Sequence, residues 1–230
     1  MSLDRNIAHL AKAPMFSDIG ENAQRLLAER AIATTYRKGQ LIFQEGEQGD
    51  AVYIVVEGTV KISVVSPDGD EMLLTTLTPF DTFGELALLD GGPRSASAEA
   101  LQETRVLSIS REAFWVVLEA DRKFVEKMFM SLGALLRRLT QRAADFVFLD
   151  LHGRVAKLLV DLAGDKSQPG GEVSLDLQLT QSDLASMVGG SRQSVNQILR
   201  SFEDRGYLEI SGRHIVLKSL EALRRRAHLS

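Results

Sequence analysis

Two incompatible periods divide this chain. From Thr34 to Ser110 the apolar residues fall in short β-rich runs: Leu41-Ile42-Phe43, Val52 to Val56, Val60 to Val65, Met72-Leu73-Leu74 and Val106 to Ile109. Turn-forming residues separate them at Gly39, Gly46, Gly49, Glu57-Gly58 and Ser66-Pro67-Asp68-Gly69, the texture of an antiparallel sandwich or barrel. From about Arg111 to Leu149 the texture turns helical. Positions 125, 128, 132, 135, 139, 142, 146 and 149 advance in steps of three and four, and seven of the eight are apolar, Arg142 being irregular. That spacing predicts a coiled-coil seam pairing two parallel chains; a long helix lying on its own sheet is the alternative. Residues 4–31 carry helical spacing through Phe16, Ile19, Leu26 and Leu27.

Beyond the seam the pattern is that of a small second domain. Leu151, Val155, Leu158, Leu159 and Leu162 form a helix face, Gly164 to Gly171 a loop, and Val173, Leu175, Leu177 and Leu179 alternate as a strand. With 230 residues, 44% of them hydrophobic, the chain can fill such cores. The absence of cysteine excludes disulfides, thiol catalysis and iron–sulfur clusters. His9, His152, His214 and His228 lack ligand spacing, so no metal is expected. No nucleophile–base pairing suggests an enzyme. Without a run of about 18 apolar residues or a signal-like start, no membrane partner is expected and the location is cytoplasmic. The net charge of −4 divides as −5 over residues 1–149 and +1 over 150–230, too small an asymmetry to name a partner.

Two glycine-flanked stretches carry chemistry. Gly46 to Gly58 sets tight turns on either side of a buried strand. The segment from Phe83 to Ala96 suits a small phosphate ester. Gly84 lets backbone approach a ligand, Leu86 to Leu89 can form one helical turn with free N–H groups, Arg94 offers a planar fork of donors, and Glu85 can accept from a ribose hydroxyl. An ion pair between Arg94 and Glu85 or Glu99 is the structural alternative. The two stretches resemble the cyclic-nucleotide-binding domain, the second being its phosphate-binding cassette. The resemblance implies that Arg94 clamps the cyclic phosphate and Glu85 the ribose 2′-hydroxyl, with Gly84, Leu86 and Ser95 adding backbone or hydroxyl donors.

Thr180-Gln181-Ser182-Asp183 is patterned as a capping box. Leu184 and Val188 point inward, Gly189-Gly190 turns the chain, and Ser191 caps a helix running from Arg192 to about Asp204. Val195, Ile198, Leu199 and Phe202 form that helix's buried face. Arg192, Gln193, Ser194, Asn196, Gln197 and Arg200 stay outside, among them residue types that read base edges in the major groove. Residues 206–210 and 214–217, joined by Ser211-Gly212-Arg213, form a two-stranded wing whose Arg213 suits a phosphate. Arg224-Arg225-Arg226 reads as a solvated helix C-terminus.

Over about residues 8–218 the chain resembles the CRP/FNR superfamily of transcription regulators. The resemblance implies an α+β fold: an N-terminal antiparallel β-roll sensor (1–117), a long dimerisation helix (118–149) and a C-terminal winged helix-turn-helix (150–230) hinged near Leu149-Asp150. It implies a homodimer on a pseudo-palindromic double-stranded DNA operator, RNA polymerase as a further partner, and cyclic AMP as effector. In cyclic-AMP-binding members two hydroxyl residues of the long helix contact the adenine. An ungapped match places Leu139 and Thr140 there, and Leu139 can neither donate nor accept a hydrogen bond. A same-fold regulator answering another ligand or none, and a cyclic-nucleotide-binding regulatory subunit acting through protein partners, are the alternatives.

Overall fold

The structure, a computed structural model, describes residues 3–69, 71–164, 172–176, 179–212 and 214–229. It divides into two compact units, Met1–Arg137 and Arg138–Ser230.

In the first unit, α1 (Leu3–Lys12) and α2 (Glu21–Arg30) precede β1 (Ile32–Tyr36), β2 (Leu41–Phe43), β3 (Ala51–Glu57), β4 (Val60–Val65), β5 (Glu71–Leu77), β6 (Thr82–Phe83), α3 (Glu85–Asp90), β7 (Ser97–Ala100), β8 (Thr104–Ser110) and α4 (Arg111–Ala120). The strands form two antiparallel sheets, ordered β1-β8-β3-β6 and β2-β7-β4-β5. β3 is buried on both faces, which explains its uninterrupted apolar run. Val52, Ile54 and Val56 enter a core with Leu10, Leu27, Phe114 and Phe124. Between them, Val55 turns to a second core with Phe43, Val60, Phe83, Ala98 and Val106.

The helical segment expected from about Arg111 to Leu149 is interrupted at Asp121, whose backbone is extended. Its carboxylate accepts from the N–H groups of Lys123 and Phe124 at 2.8 and 3.2 Å, capping a new helix, α5 (Arg122–Phe148). A third N–H, from Gly20, reaches it at 2.8 Å and ties the α2 entrance to the same point. The seam on α5 also differs from expectation. Met128 is buried, and Leu132 packs on the core of the first unit, as the own-sheet alternative has it. Apolar residues left exposed on α5 include Phe129, Met130, Leu136, Leu139, Phe146, Val147 and Phe148, of which only Leu139 and Phe146 lie on the expected seam. The first turns of α5 are consumed by their own core, so the free apolar side is concentrated from Leu136 onward.

The second unit holds the end of α5, α6 (Leu151–Ala163), β9 (Val173–Asp176), α7 (Gln181–Val188), α8 (Arg192–Asp204), β10 (Leu208–Ser211), β11 (His214–Leu217) and α9 (Leu220–Arg226). Its sheet order is β10-β11-β9. The expected two-stranded wing therefore gains a third strand, with Ile215 of β11 opposite Leu175 of β9. Leu177 and most of the expected 164–171 loop lie outside the described residues. Among the described residues no helix is long and apolar enough to cross a membrane.

Candidate functional site

Backbone bonds join the two glycine-flanked stretches into one structure. The Gly46 N–H donates to the Arg94 carbonyl at 2.9 Å, and the Arg94 N–H donates to the Glu47 carbonyl at 2.8 Å. Gly49 is required where they meet, because a Cβ there would lie 2.3 Å from the Ala87 Cβ and 3.1 Å from the Arg94 Cζ. Gly84 sits at φ +80°, and a Cβ on it would come within 2.7 Å of the Arg94 Nη1. Both glycines clear space for one guanidinium.

That guanidinium is 3% exposed. Nη1 donates to the Gly84 carbonyl at 2.7 Å and Nη2 to the Ala51 carbonyl at 2.8 Å. Cζ lies 4.3 Å from the centre of the Phe43 ring and 5.5 Å from that of Tyr53. Of the five N–H groups an arginine carries, these bonds use two, and Nε is buried without an acceptor. The ion pair with Glu85 or Glu99 does not form. Glu99 pairs with Lys61, which is 8% exposed and has a second carboxylate, Glu71. Lys61 is thus neutralised twice, whereas no carboxylate among the described residues pairs with Arg94.

Glu85 and Leu86 are half-buried in the first turn of α3, and Ser95 is exposed beside Arg94. Phe43, Tyr53 and Phe83, which sequence reading passed over, pack as a triad with ring centres 5.2–5.9 Å apart. Burial pushes the Tyr53 phenol up from its ordinary value, leaving it neutral near pH 7. Tyr53 lies within the first glycine-flanked stretch and Phe83 opens the second, but nothing local in the sequence sets either ring beside Arg94.

In the second unit the capping box forms: Thr180 Oγ1 accepts from the Asp183 N–H at 3.2 Å, and the Asp183 carboxylate accepts from the Thr180 N–H at 2.7 Å. Gly189 ends α7 at φ +63°. A Cβ there would strike the Phe146 ring at 2.6 Å. Ser191 caps α8 through the Ser194 N–H, and the two hydroxyls lie 2.8 Å apart. Arg192, Gln193, Gln197 and Arg200 are exposed along α8. Asn196 departs from the expectation: it is half-buried, and its Oδ1 is shielded from solvent without a partner. One cavity of about 390 Å³ brings Thr180, Arg192 and Gly212 together. A second one sets Leu151 and His152 of α6 against Ser194 and Gln197. Arg213 lies outside the described residues.

Residues 33–121 match the family model of the cyclic nucleotide-binding domain, and residues 153–226 that of the Crp-like helix-turn-helix domain. A "CRP-like cAMP-activated global transcriptional regulator" of Mycobacterium tuberculosis is 39% identical over 222 residues, which are 95% of this chain and 98% of that protein. The chain belongs to the CRP/FNR family. Among solved structures, FixK2 from Bradyrhizobium japonicum matches this CRP/FNR protein with a TM-score of 0.74 at 26% identity, covering 85% of this chain and 96% of that one. A CRP/FNR transcriptional regulator from Thermus thermophilus matches with a TM-score of 0.70 at 25% identity, covering 86% and 98%. As a CRP/FNR member it is a DNA-binding transcription regulator, and its first unit carries a cyclic nucleotide-binding domain.

Several bonds converge on the segment around Leu149-Asp150 in this CRP/FNR chain. Asp150 caps α6 by accepting from the Gly153 N–H at 2.8 Å, and it is held by Arg226 of α9. The Arg226 bond, then the Gly153 N–H, keeps its carboxyl below the usual range. Lys157 of α6 pairs with Asp145 in the last turn of α5 at 2.6 Å. Arg154 donates to the carbonyls of Val188 and Leu149, both at 2.9 Å, and lies over the Phe146 ring. The end of α5, α6 and the start of the helix-turn-helix are thereby held as one piece within the second unit. Leu139 and Thr140 are exposed in that unit.

Proposed function

We propose that this CRP/FNR regulator is a homodimer whose affinity for a pseudo-palindromic operator is governed by a cyclic nucleotide, cyclic AMP first among them, held through Arg94. The observation that carries the reading is the buried Arg94 guanidinium, with N–H groups left over and no carboxylate among the described residues paired with it. Leaving a charge buried and unpaired costs several kcal/mol, more than the roughly 0.5–2 kcal/mol an aromatic face returns. A cyclic phosphate supplies the missing anion. Glu85 is assigned to the ribose hydroxyl, Gly84, Leu86 and Ser95 to further donors, and Thr140 to the base. The name of the mycobacterial relative supports cyclic AMP. Leu139 favours a second reading, in which the base differs or is read without hydrogen bonds at that position.

On the DNA side, Arg192, Gln193 and Gln197 are the proposed base readers, with Arg200, Asn196 and the cap residues Thr180, Ser191 and Ser194 supporting, and Arg213 on phosphate. Two such heads on successive major grooves must stand about 34 Å apart, so a dimer along the exposed apolar side of α5 and a ligand that favours that spacing suffice for control. RNA polymerase is the proposed downstream partner, in the cytoplasm. Calorimetric titration with cyclic AMP and cyclic GMP tests the effector. Saturable cyclic AMP binding with one site per chain supports the reading. Preference for cyclic GMP moves it to the second reading, and binding of neither overturns it.

A further inference from the structure

We infer that Phe43 and Tyr53 are positioning residues for the bound anion: they hold the plane of the Arg94 guanidinium without neutralising it. The inference rests on the cyclic-nucleotide reading of this site and deepens it. The two carbonyl acceptors, Gly84 and Ala51, fix the outer nitrogens at 2.7 and 2.8 Å. Two hydrogen bonds alone leave a planar group free to rock about the line joining them. The Phe43 ring, 4.3 Å from Cζ, and the Tyr53 ring, 5.5 Å from Cζ and 5.6 Å from Phe43, limit that motion from one side. Phe83 in turn braces both rings, at 5.9 Å from Phe43 and 5.2 Å from Tyr53.

The choice of aromatic side chains has a chemical consequence. A carboxylate would fix the guanidinium equally well, as Glu71 and Glu99 fix Lys61, but it would occupy the donors and cancel the charge that the phosphate needs. A ring face attracts the cation through its quadrupole and takes no N–H. Among the described residues no carboxylate pairs with the N–H groups not used by the carbonyls, and the Tyr53 hydroxyl beside them is neutral, so the charge stays uncancelled. Because arginine offers its donors as a rigid fork, a fixed plane gives a fixed set of directions for phosphate oxygens.

The test uses the full-length protein, with cyclic AMP affinity and the Arg94 Nε–H resonance in ¹⁵N NMR as paired readouts. Tyr53→Leu and Phe43→Leu are each expected to weaken cyclic AMP about tenfold. In each, the slowly exchanging Nε–H peak of a buried, immobile guanidinium should be lost. Tyr53→Phe restores both readouts to within about twofold, since only the ring is needed. Should Phe43→Leu, at a position 9% exposed, fail to fold, Tyr53→Leu on its half-buried ring carries the test alone. Unchanged affinity, or weakened affinity with a wild-type Nε–H peak, overturns the positioning role. Failure of the unaltered protein to bind any cyclic nucleotide overturns the underlying reading instead, so the two failures are distinguishable.

Discussion

Replacing Arg94 by methionine separates ligand binding from folding. Methionine keeps an unbranched stem of similar reach and lies against Phe43 and Tyr53 as readily as the guanidinium does. On the unfavourable side, the Gly84 and Ala51 carbonyls each lose a donor, about 1–3 kcal/mol apiece, and the cation–ring contact is lost, about 1 kcal/mol. On the favourable side, the desolvation of an unpaired charge, several kcal/mol, is removed. The two sides nearly cancel, and the unliganded Arg94→Met protein is expected within about 2 kcal/mol of the parent. Ligand response behaves otherwise. A hundredfold excess of cyclic AMP over its Kd stabilises the parent by about 2.7 kcal/mol, which is roughly 5–11 °C for a domain of this size. Arg94→Met should show none of it. Differential scanning calorimetry with and without nucleotide measures both quantities. A ligand shift retained in Arg94→Met, or an unliganded loss beyond about 4 kcal/mol, would refute the assignment of Arg94 as an anion ligand held in reserve.

Three further outcomes follow from the geometry. Arg192→Ala should cost about 1–3 kcal/mol on a selected operator and little on random DNA at fixed salt; equal losses in a gel-shift comparison would make Arg192 a phosphate contact. Lys157→Met strands the Asp145 carboxylate, whose pair is only 11% and 17% exposed, and should cost about 2–4 kcal/mol by urea denaturation, most of it regained when Asp145→Leu is added. Asp121→Ala should cost about 1 kcal/mol at pH 7 as a lost helix cap. Hydrogen bonds from the Gly20 N–H, and then those of Phe124 and Lys123, hold the Asp121 carboxyl below its ordinary value. Its contribution is present above the ordinary carboxylate range and lost as pH falls through the depressed value, so the melting curves of parent and variant should converge in acid.

The elements readable from the sequence are those whose pattern is local. β3 and β4 announce themselves by apolar runs between glycines, and α8 by an apolar face behind Ser191. β7 does not: it reads Ser-Ala-Glu-Ala, and Ala98 and Ala100 are buried only because β7 is paired between β2 and β4. The break at Asp121 was equally hidden, since one of its three N–H donors, Gly20, lies 101 residues away. In the site, Arg94 was legible from its cassette, but the rings around it were not. Phe43 reaches it from a different sheet than Tyr53, and only tertiary pairing sets both against one guanidinium. The early part of the expected seam on α5 was lost for the same reason, because its first turns belong to the core of the first unit.

A nucleotide site and a DNA site on one molecule can control each other only through a coupling free energy, and coupling of that kind is reciprocal. The direct measurement is a thermodynamic square: operator affinity with and without saturating cyclic AMP, and cyclic AMP affinity with and without saturating operator. The two ratios should agree and exceed about fivefold. Two ratios near one, from a protein that binds both partners, would contradict control of the operator by the nucleotide.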